Sequence, residues 1–276
     1  MSTQLINQLK KSIRRAQLVL ERPYQLLDDQ VATEKFEHAH IPPHVYQTWV
    51  NRQFGKTLFN NIAGFRRLNP DLNFHLFDNQ KIEAYMEEFW GKHPIFQIYQ
   101  KSQFGPSKAD IFRVCILNER GGFYFDINKG CSVPLRMLLK PDSDCLISYE
   151  KNNCIILPEQ AIMDRVQQPT KLAMQWSFGF AKNHPVTNMM IEEICNFYPY
   201  FKDKVFENPK DAILSFTATG MLTRVIRKVL LENPGLHLNQ AGIDYNGHAI
   251  PEMPGSWSRY FTSPAYSKFQ NRPIAL

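Results

Sequence analysis

A helical run that ends on two adjacent glycines and passes at once into three adjacent aromatic residues leaves a chain few ways to fold. Residues 107–134 read SKADIFRVCILNERGGFYFDINKGCSVP. Ser107 is placed to cap a helix. Ile111, Val114, Cys115 and Leu117 follow at helical spacing, and Asn118-Glu119-Arg120 ends the run. Gly121-Gly122 then permits backbone conformations that a Cβ would forbid. Phe123-Tyr124-Phe125 has the aromatic content of a buried strand. Asp126-Ile127-Asn128 closes it, and the two-residue period of a strand predicts that Asp126 and Asn128 project to one side at its C-terminal end. In open α/β sheets that edge holds the ligand site. An acid and an amide there offer oxygen ligands to a hard divalent cation such as Mn2+ or Mg2+.

The pattern Asp110-x-x-Arg113, then Gly121-Gly122-x-Tyr124-x-Asp126-x-Asn128, resembles the central block of DXD-containing glycosyltransferases of the GT-A fold. The nearest group is the family 32-like one, with yeast mannosyltransferases and bacterial polysaccharide transferases; clostridial glucosylating toxins are more distant. This chain reads D-x-N where that group commonly reads D-x-D, so a neutral amide oxygen replaces an anionic ligand. The resemblance implies an α/β, Rossmann-like fold with a mixed, mostly parallel sheet flanked by helices. It implies a retaining transferase, dependent on Mn2+ or Mg2+, that moves a hexose or N-acetylhexosamine from a nucleotide sugar. A UDP-sugar is favoured and GDP-mannose is the other candidate. The implied acceptor is a glycan or lipid-linked glycan of a surface polysaccharide or lipopolysaccharide. Two other readings stay open: a nucleotide-sugar-binding protein with impaired catalysis, and an effector that glycosylates a protein.

Composition narrows the class. Of 276 residues, 43% are hydrophobic and 21% charged, which excludes a disordered chain. The 32 basic and 26 acidic residues leave a net charge of +6. That mild excess suits a phosphate-bearing ligand, an anionic membrane surface or a solvated face, and no nucleic-acid partner is expected. The five cysteines form no C-x-x-C pair, so a reducing compartment is the simpler reading. No apolar run has transmembrane length, and the basic N-terminus lacks the apolar core of a secretory signal. A cytoplasmic enzyme, peripheral at the inner membrane face, is expected.

Residues 1–40 read as a helical extension and 41–276 as one glycosyltransferase domain. In the extension Leu5, Ile6, Leu9, Ile13, Leu18, Val19 and Leu20 form an apolar stripe beside Lys10, Lys11, Arg14 and Arg15. Such a helix docks on its own domain or, over residues 1–22, lies on an anionic membrane. Ile41 to Trp49 is the first core strand, 54–69 a helix, and Leu72 to Phe77 a strand with His75 on its solvent face. Asp78 caps a helix over 79–89, and His93-Pro94 opens a short one. This βαβ rhythm predicts a parallel sheet with helices on both faces. Strands follow at Cys145–Tyr149 and Ala173–Ala181, separated by an irregular insertion over the site at 150–170. A helix runs from Val186 to Phe197, and another, capped by Thr219, through Leu231.

The resemblance also implies roles beyond the central block. Trp49, with Thr48 beside it, would stack on the nucleotide base. Asp110 and Arg113 would grip the donor sugar; from the residues alone they are an i,i+3 ion pair. Asp126 and Asn128 would hold the metal, with His248 or Glu252 completing its shell. Thr219-Gly220 would open a helix beside the donor, Ser256 would reach the metal or a phosphate, and the Trp257 N–H would point at the β-phosphate. Tyr46 stands where the family has His, Trp176 or Ser177 where it has Asn, and Met221 where it has Pro. No enzymatic nucleophile is implied.

Overall fold

The computed structural model describes Ala16, residues 18–257 and residues 271–276. Leu5, Ile6, Leu9 and Ile13 of the expected apolar stripe therefore lie outside the described residues, whereas Leu18, Val19 and Leu20 are helical. From Glu21 to His40 the backbone is extended or irregular where a helix was expected. Its strand β1 (Gln25–Leu26) pairs with β3 (Gln53–Phe54), and Gln30 bridges Phe74, so sheet neighbours take up its backbone polar groups.

The main sheet runs β10-β7-β9-β5-β2-β4, with β8 beside β7. Its members are β2 (His44–Thr48), β4 (Asn73–Phe77), β5 (Gly122–Phe125), β7 (Cys145–Asn153), β8 (Lys171–Ala173), β9 (Ser177–Phe180) and β10 (Gln240–Ile243). β2 is parallel to β4 and to β5, β10 is parallel to β7, and β9 is antiparallel to both β5 and β7. All the strands of the main path except β9 thus point one way, and their C-terminal ends share one edge. The expected mixed, mostly parallel α/β sheet is the one found.

Side-chain alternation builds a core on each face. Phe123 and Phe125 face Val45, Phe74 and Leu76, beneath Leu58, Ile62 and Phe65 of α1 (Lys56–Arg67). Tyr124 faces the other way, into the core beneath α2 (Asn79–Trp90), α3 (Pro94–Lys101), α4 (Gly105–Arg120), α5 (Pro185–Phe201), α6 (Pro209–Phe216) and α7 (Thr219–Glu232). The two glycines at the head of β5 are required by space as well as by dihedral. Gly121 has φ +68° and Gly122 φ +105°; a Cβ on Gly121 would lie 2.8 Å from the Lys182 nitrogen, and one on Gly122 2.6 Å from the His44 oxygen.

Several boundaries differ from expectation. Helix α4 starts at Gly105, with Pro106 in its first turn, where a missing N–H costs nothing; Ser107 is inside the helix and buried rather than its cap. Asp78 does cap α2, accepting from the Lys81 N–H at 2.9 Å. The strand expected over Ala173–Ala181 is two strands, β8 and β9, because Met174 to Trp176 leave the ladder to serve other partners. In the 150–170 stretch β7 continues to Asn153, and a 3-10 turn at Gln160–Arg165 buries Ile162. Thr219 does not cap α7: Ala218 holds that position, and the Thr219 hydroxyl donates to the Ala173 carbonyl.

Candidate active site

The C-terminal edge of the sheet gathers residues from four separate stretches around one guanidinium. Arg113, in the middle of α4, is buried with Asp110 one turn before it. Its Nη2 lies 3.2 Å from Asp110 Oδ1 and 3.2 Å from Asp126 Oδ1. Its Nη1 donates to the Gln175 carbonyl at 2.8 Å, and its charge sits 4.4 Å from the centre of the Tyr124 ring. The Tyr124 hydroxyl donates to Asp126 Oδ1 at 3.2 Å and lies 2.8 Å from Thr48 Oγ1 at the end of β2. Asp110 Oδ2 accepts from the Thr217 hydroxyl at 3.0 Å, and the Gln175 side-chain amide donates to the Thr217 carbonyl at 2.7 Å.

The burial of these groups is uneven, and that decides what each can touch. The side chains of Asp110 and Arg113 are 7% and 8% exposed, whereas that of Asp126 is 32% exposed. Asp126 therefore opens to solvent, while Asp110 lies beneath it, joined to it through Arg113. Burial pushes the Asp110 carboxyl up to about 7 against the opposing pull of Arg113 and Thr217. Burial works against the Arg113 charge, yet Tyr124, Asp126 and Asp110 push its pKa above the usual guanidinium value. Removing one member of such a buried ion network costs about 3–5 kcal/mol, because the remaining charge is left without its partner.

Asp126 and Asn128 do not share a strand face. β5 stops at Phe125, and the following residues form a turn in which the Lys129 N–H donates to the Asp126 carbonyl at 2.9 Å. The Asp126 N–H donates to the Trp176 carbonyl at 2.8 Å. The two-residue period no longer applies, so Asp126 opens to solvent while Asn128 is 2% exposed. The C-terminal segment lies along this turn. β6 (Gly130–Cys131) pairs antiparallel with β11 (Ala249–Ile250), and the Met253 N–H donates to the Asn128 carbonyl at 2.8 Å. His248 is set beside Ser132, whose hydroxyl lies 3.3 Å from its Nδ1; Glu252 is exposed next to the Met253–Asn128 bond. Of the two, Glu252 is placed nearer the Asp126 turn by this register. Ser256 is buried and its hydroxyl donates to the Met253 carbonyl; Trp257 and Trp49 are half-buried. Thr219 is committed to Ala173, and Gly220 packs so closely that a Cβ would lie 2.9 Å from the Leu214 oxygen.

The side-chain oxygen of Asn128 is buried and has no hydrogen-bond partner among the described residues. An orphaned acceptor two residues from an open carboxylate fits a cation site. Among the described residues, the His, Cys, Asp and Glu side chains close enough to share an ion are Asp144, Cys145 and His184, at the opposite edge of the sheet. His184 caps α5 by accepting the Val186 N–H on Nδ1 at 3.1 Å, so its Nε2 carries the ring proton toward Asp144 Oδ1, 3.5 Å away. That trio is a helix cap and not a ligand set.

Residues 55–157 match the family described as "Glycosyltransferase sugar-binding region containing DXD motif". This stretch resembles a DXD-type sugar-binding region. It holds α4, β5 and the Asp126 turn, while Thr48, Gln175, Thr217 and the 248–257 segment lie outside it. The chain is 32% identical over 127 residues to inositol phosphoceramide mannosyltransferase 1 of Schizosaccharomyces pombe, covering 45% of this chain and 38% of that protein. It is 21% identical over 249 residues to the initiation-specific alpha-1,6-mannosyltransferase of Candida albicans, covering 83% and 62%. The chain thus spans less than two thirds of either relative. Among solved structures it is similar to PaToxG glycosyltransferase, with a TM-score of 0.48, 15% identity, and coverage of 83% of this chain and 78% of that one. Beyond the residues to which the resemblance gives roles, the site enlists Tyr124, Gln175 and Thr217. Tyr124 stood inside the quoted motif, and the paired threonines of Phe216-Thr217-Ala218-Thr219 were the available signal for Thr217. Nothing local marked Gln175.

Proposed function

We propose that the protein is a retaining glycosyltransferase that moves a hexose or N-acetylhexosamine from a nucleotide sugar to a glycan or lipid-linked glycan acceptor. The observation that carries this reading is the open Asp126 carboxylate, held by Arg113 and Tyr124, each at 3.2 Å, at the edge where the parallel strands end. Asp126 and Asn128 would hold the Mn2+ or Mg2+, with Glu252 or His248 as a further ligand. Bound there, the cation supplies positive charge that stabilises a departing diphosphate. Arg113 fixes the Asp126 carboxylate, and Tyr124 fixes both by lying under one and donating to the other. Trp49, at the end of β2, offers a flat face to a base, and Thr48 orients Tyr124. Asp110 keeps the guanidinium in place and so acts on the donor through it. Ser256 and Trp257 bring donors from the C-terminal segment, and the start of α7 at Thr219-Gly220 borders the same network through Thr217.

The Trp49 platform favours a UDP-sugar, whereas the mannosyltransferase relatives bring mannose forward, so GDP-mannose belongs in the first panel tested. The test is release of free sugar and nucleotide from UDP-glucose, UDP-galactose, their N-acetyl forms and GDP-mannose, with Mn2+ or with chelator. Wild type should turn over at least one donor only with metal, and Asp126→Ala should abolish that turnover. Equal hydrolysis of every donor by wild type, Asp126→Ala and Asn128→Ala would sink the assignment.

A further inference from the structure

Four buried residues at the Asp126 edge close a ring of polar contacts. Asp110 Oδ1 lies 3.2 Å from Arg113 Nη2, and Arg113 Nη1 donates to the Gln175 carbonyl at 2.8 Å. The Gln175 side-chain amide donates to the Thr217 carbonyl at 2.7 Å, and the Thr217 hydroxyl donates back to Asp110 Oδ2 at 3.0 Å. All four residues are buried, so each group depends on its neighbours in the ring for its hydrogen bonds.

Three separate pieces of the fold meet here: α4, the linker between β8 and β9, and the junction between α6 and α7. Thr217 is the junction residue. It ends α6, its N–H donating to the Ile213 carbonyl at 3.0 Å, and α7 begins at Thr219. The Ser107 hydroxyl and the Ile213 carbonyl each lie 3.5 Å from the Thr217 hydroxyl, but its single proton has its shortest acceptor in Asp110.

Two routes lead from Thr217 to Asp126. The first leaves from the hydroxyl and runs through Asp110 and Arg113 to Asp126 Oδ1, 3.2 Å from the same Nη2 that Asp110 holds. The second leaves from the carbonyl and runs through Gln175 to the next residue, Trp176, whose carbonyl accepts from the Asp126 N–H at 2.8 Å. One route fixes the carboxylate, and the other fixes the main chain that carries it. Burial raises the Asp110 pKa and Arg113 and the Thr217 hydroxyl oppose that, so the hydroxyl also helps to keep the acid ionised for Arg113.

We propose that Thr217 is a positioning residue that holds Asp126 in place by two routes, with its hydroxyl through Arg113 and with its carbonyl through Gln175. That the carboxylate so placed serves sugar transfer rests on the function proposed above; the placement itself does not.

Thr217→Val keeps the branched shape and the carbonyl but deletes the hydroxyl, and Thr217→Ser restores it. Heteronuclear NMR of the arginine side chains, with Arg113 assigned through Arg113→Lys, reads the placement directly. Slowly exchanging Arg113 Nη protons should appear in wild type and Thr217→Ser and be lost in Thr217→Val. With a donor that wild type turns over, Thr217→Val should lower kcat roughly tenfold with the donor KM within about twofold, and Thr217→Ser should regain most of the loss. Gln175→Met cuts the second route and should also lower kcat, while the Arg113 signals persist on the Asp110 contact. A Thr217→Val protein that melts lower but keeps its Arg113 signals and its kcat has lost stability alone, and that result overturns the proposal. So does an unchanged kcat in Gln175→Met, which decides the matter if Thr217→Val does not fold. If wild type turns over no donor, the proposed function falls, and the Arg113 signals decide the placement: lost in Thr217→Val they support it, kept they overturn it.

Discussion

The two edges of the sheet both collect polar groups, and they treat them in opposite ways. At the C-terminal edge Asp110, Arg113 and Asp126 are joined as opposite charges, with one carboxylate left open. At the N-terminal edge His44 Nδ1 lies 3.0 Å from His75 Nε2, and Tyr46 stacks on His75 with ring centres 5.5 Å apart. These rings, with Glu119, Arg120 and Lys182, line a cavity of about 270 Å³. His75, expected on a solvated face, is instead half-buried here. Burial and the neighbouring His44 push the His75 pKa down to about 4, so both rings are neutral at pH 7. A cavity rich in titratable groups thus stands at the edge opposite Asp126. Concavity alone points to this edge; an acid held open by a buried cation marks the other as the candidate site.

The contrast can be broken most forcefully at Arg113. Arg113→Ala should cost about 3–5 kcal/mol in urea unfolding and abolish donor turnover, because two carboxylates lose their shared cation. Asp126→Asn should separate the two readouts. Turnover should fall at least roughly a hundredfold, while stability changes by less than about 1 kcal/mol, since that side chain is only partly buried. A loss of stability as large as that of Arg113→Ala would make Asp126 a structural member of the network. Tyr124→Phe keeps the ring under Arg113 but removes the hydroxyl shared by Thr48 and Asp126. It should cost about 1 kcal/mol and lower turnover by less than Asp126→Asn does.

The subtlest test uses pH, because the two edges have opposite signs. The folded-state pKa of Asp110 is raised, so its contribution to stability is full at acid pH and is lost as pH rises from the ordinary carboxylate range through about 7. The folded-state pKa of His75 is lowered, so its contribution is full above the ordinary imidazole range and is lost as pH falls toward about 4. Over the shared window the two oppose each other in wild type. His75→Gln should tilt the unfolding midpoint toward acid stability, and Asp110→Asn should tilt it the other way. Parallel profiles for the two variants would refute the electrostatic account of both edges.

How much of this was legible beforehand depends on the range of the cause. The i,i+3 spacing of Asp110 and Arg113, the double glycine and the alternation of Phe123, Tyr124 and Phe125 are local, and the structure follows them. The start of α4 was misread because Ser107 is a good capping residue, whereas Pro106, better suited to a first turn, lies one residue earlier. Asp126 and Asn128 were expected on one strand face. The strand ends at Phe125 because the Asp126 N–H is drawn to the Trp176 carbonyl, 50 residues away in sequence (176 minus 126). Gln175 joins the site through the backbone carbonyl of a residue that leaves regular pairing, which no side-chain pattern announces, whereas Thr217 joins through its hydroxyl on Asp110. His75 alternates correctly for an exposed position and is covered because Tyr46, its register partner on the neighbouring strand, stacks on it and His44 lies beside it.

The pairing of β6 with β11 fixes when the site can exist during synthesis. The turn at Asp126 leaves the ribosome first, and the strand that lies along it, with the Met253 N–H that ties Asn128, follows only after every strand of the main sheet. A nascent chain with its central strands already in place would hold an unfinished cleft until residues near 257 emerge. A chain terminated shortly after Ile243 would keep every strand of the main sheet and still lack the segment that closes over the Asp126 turn.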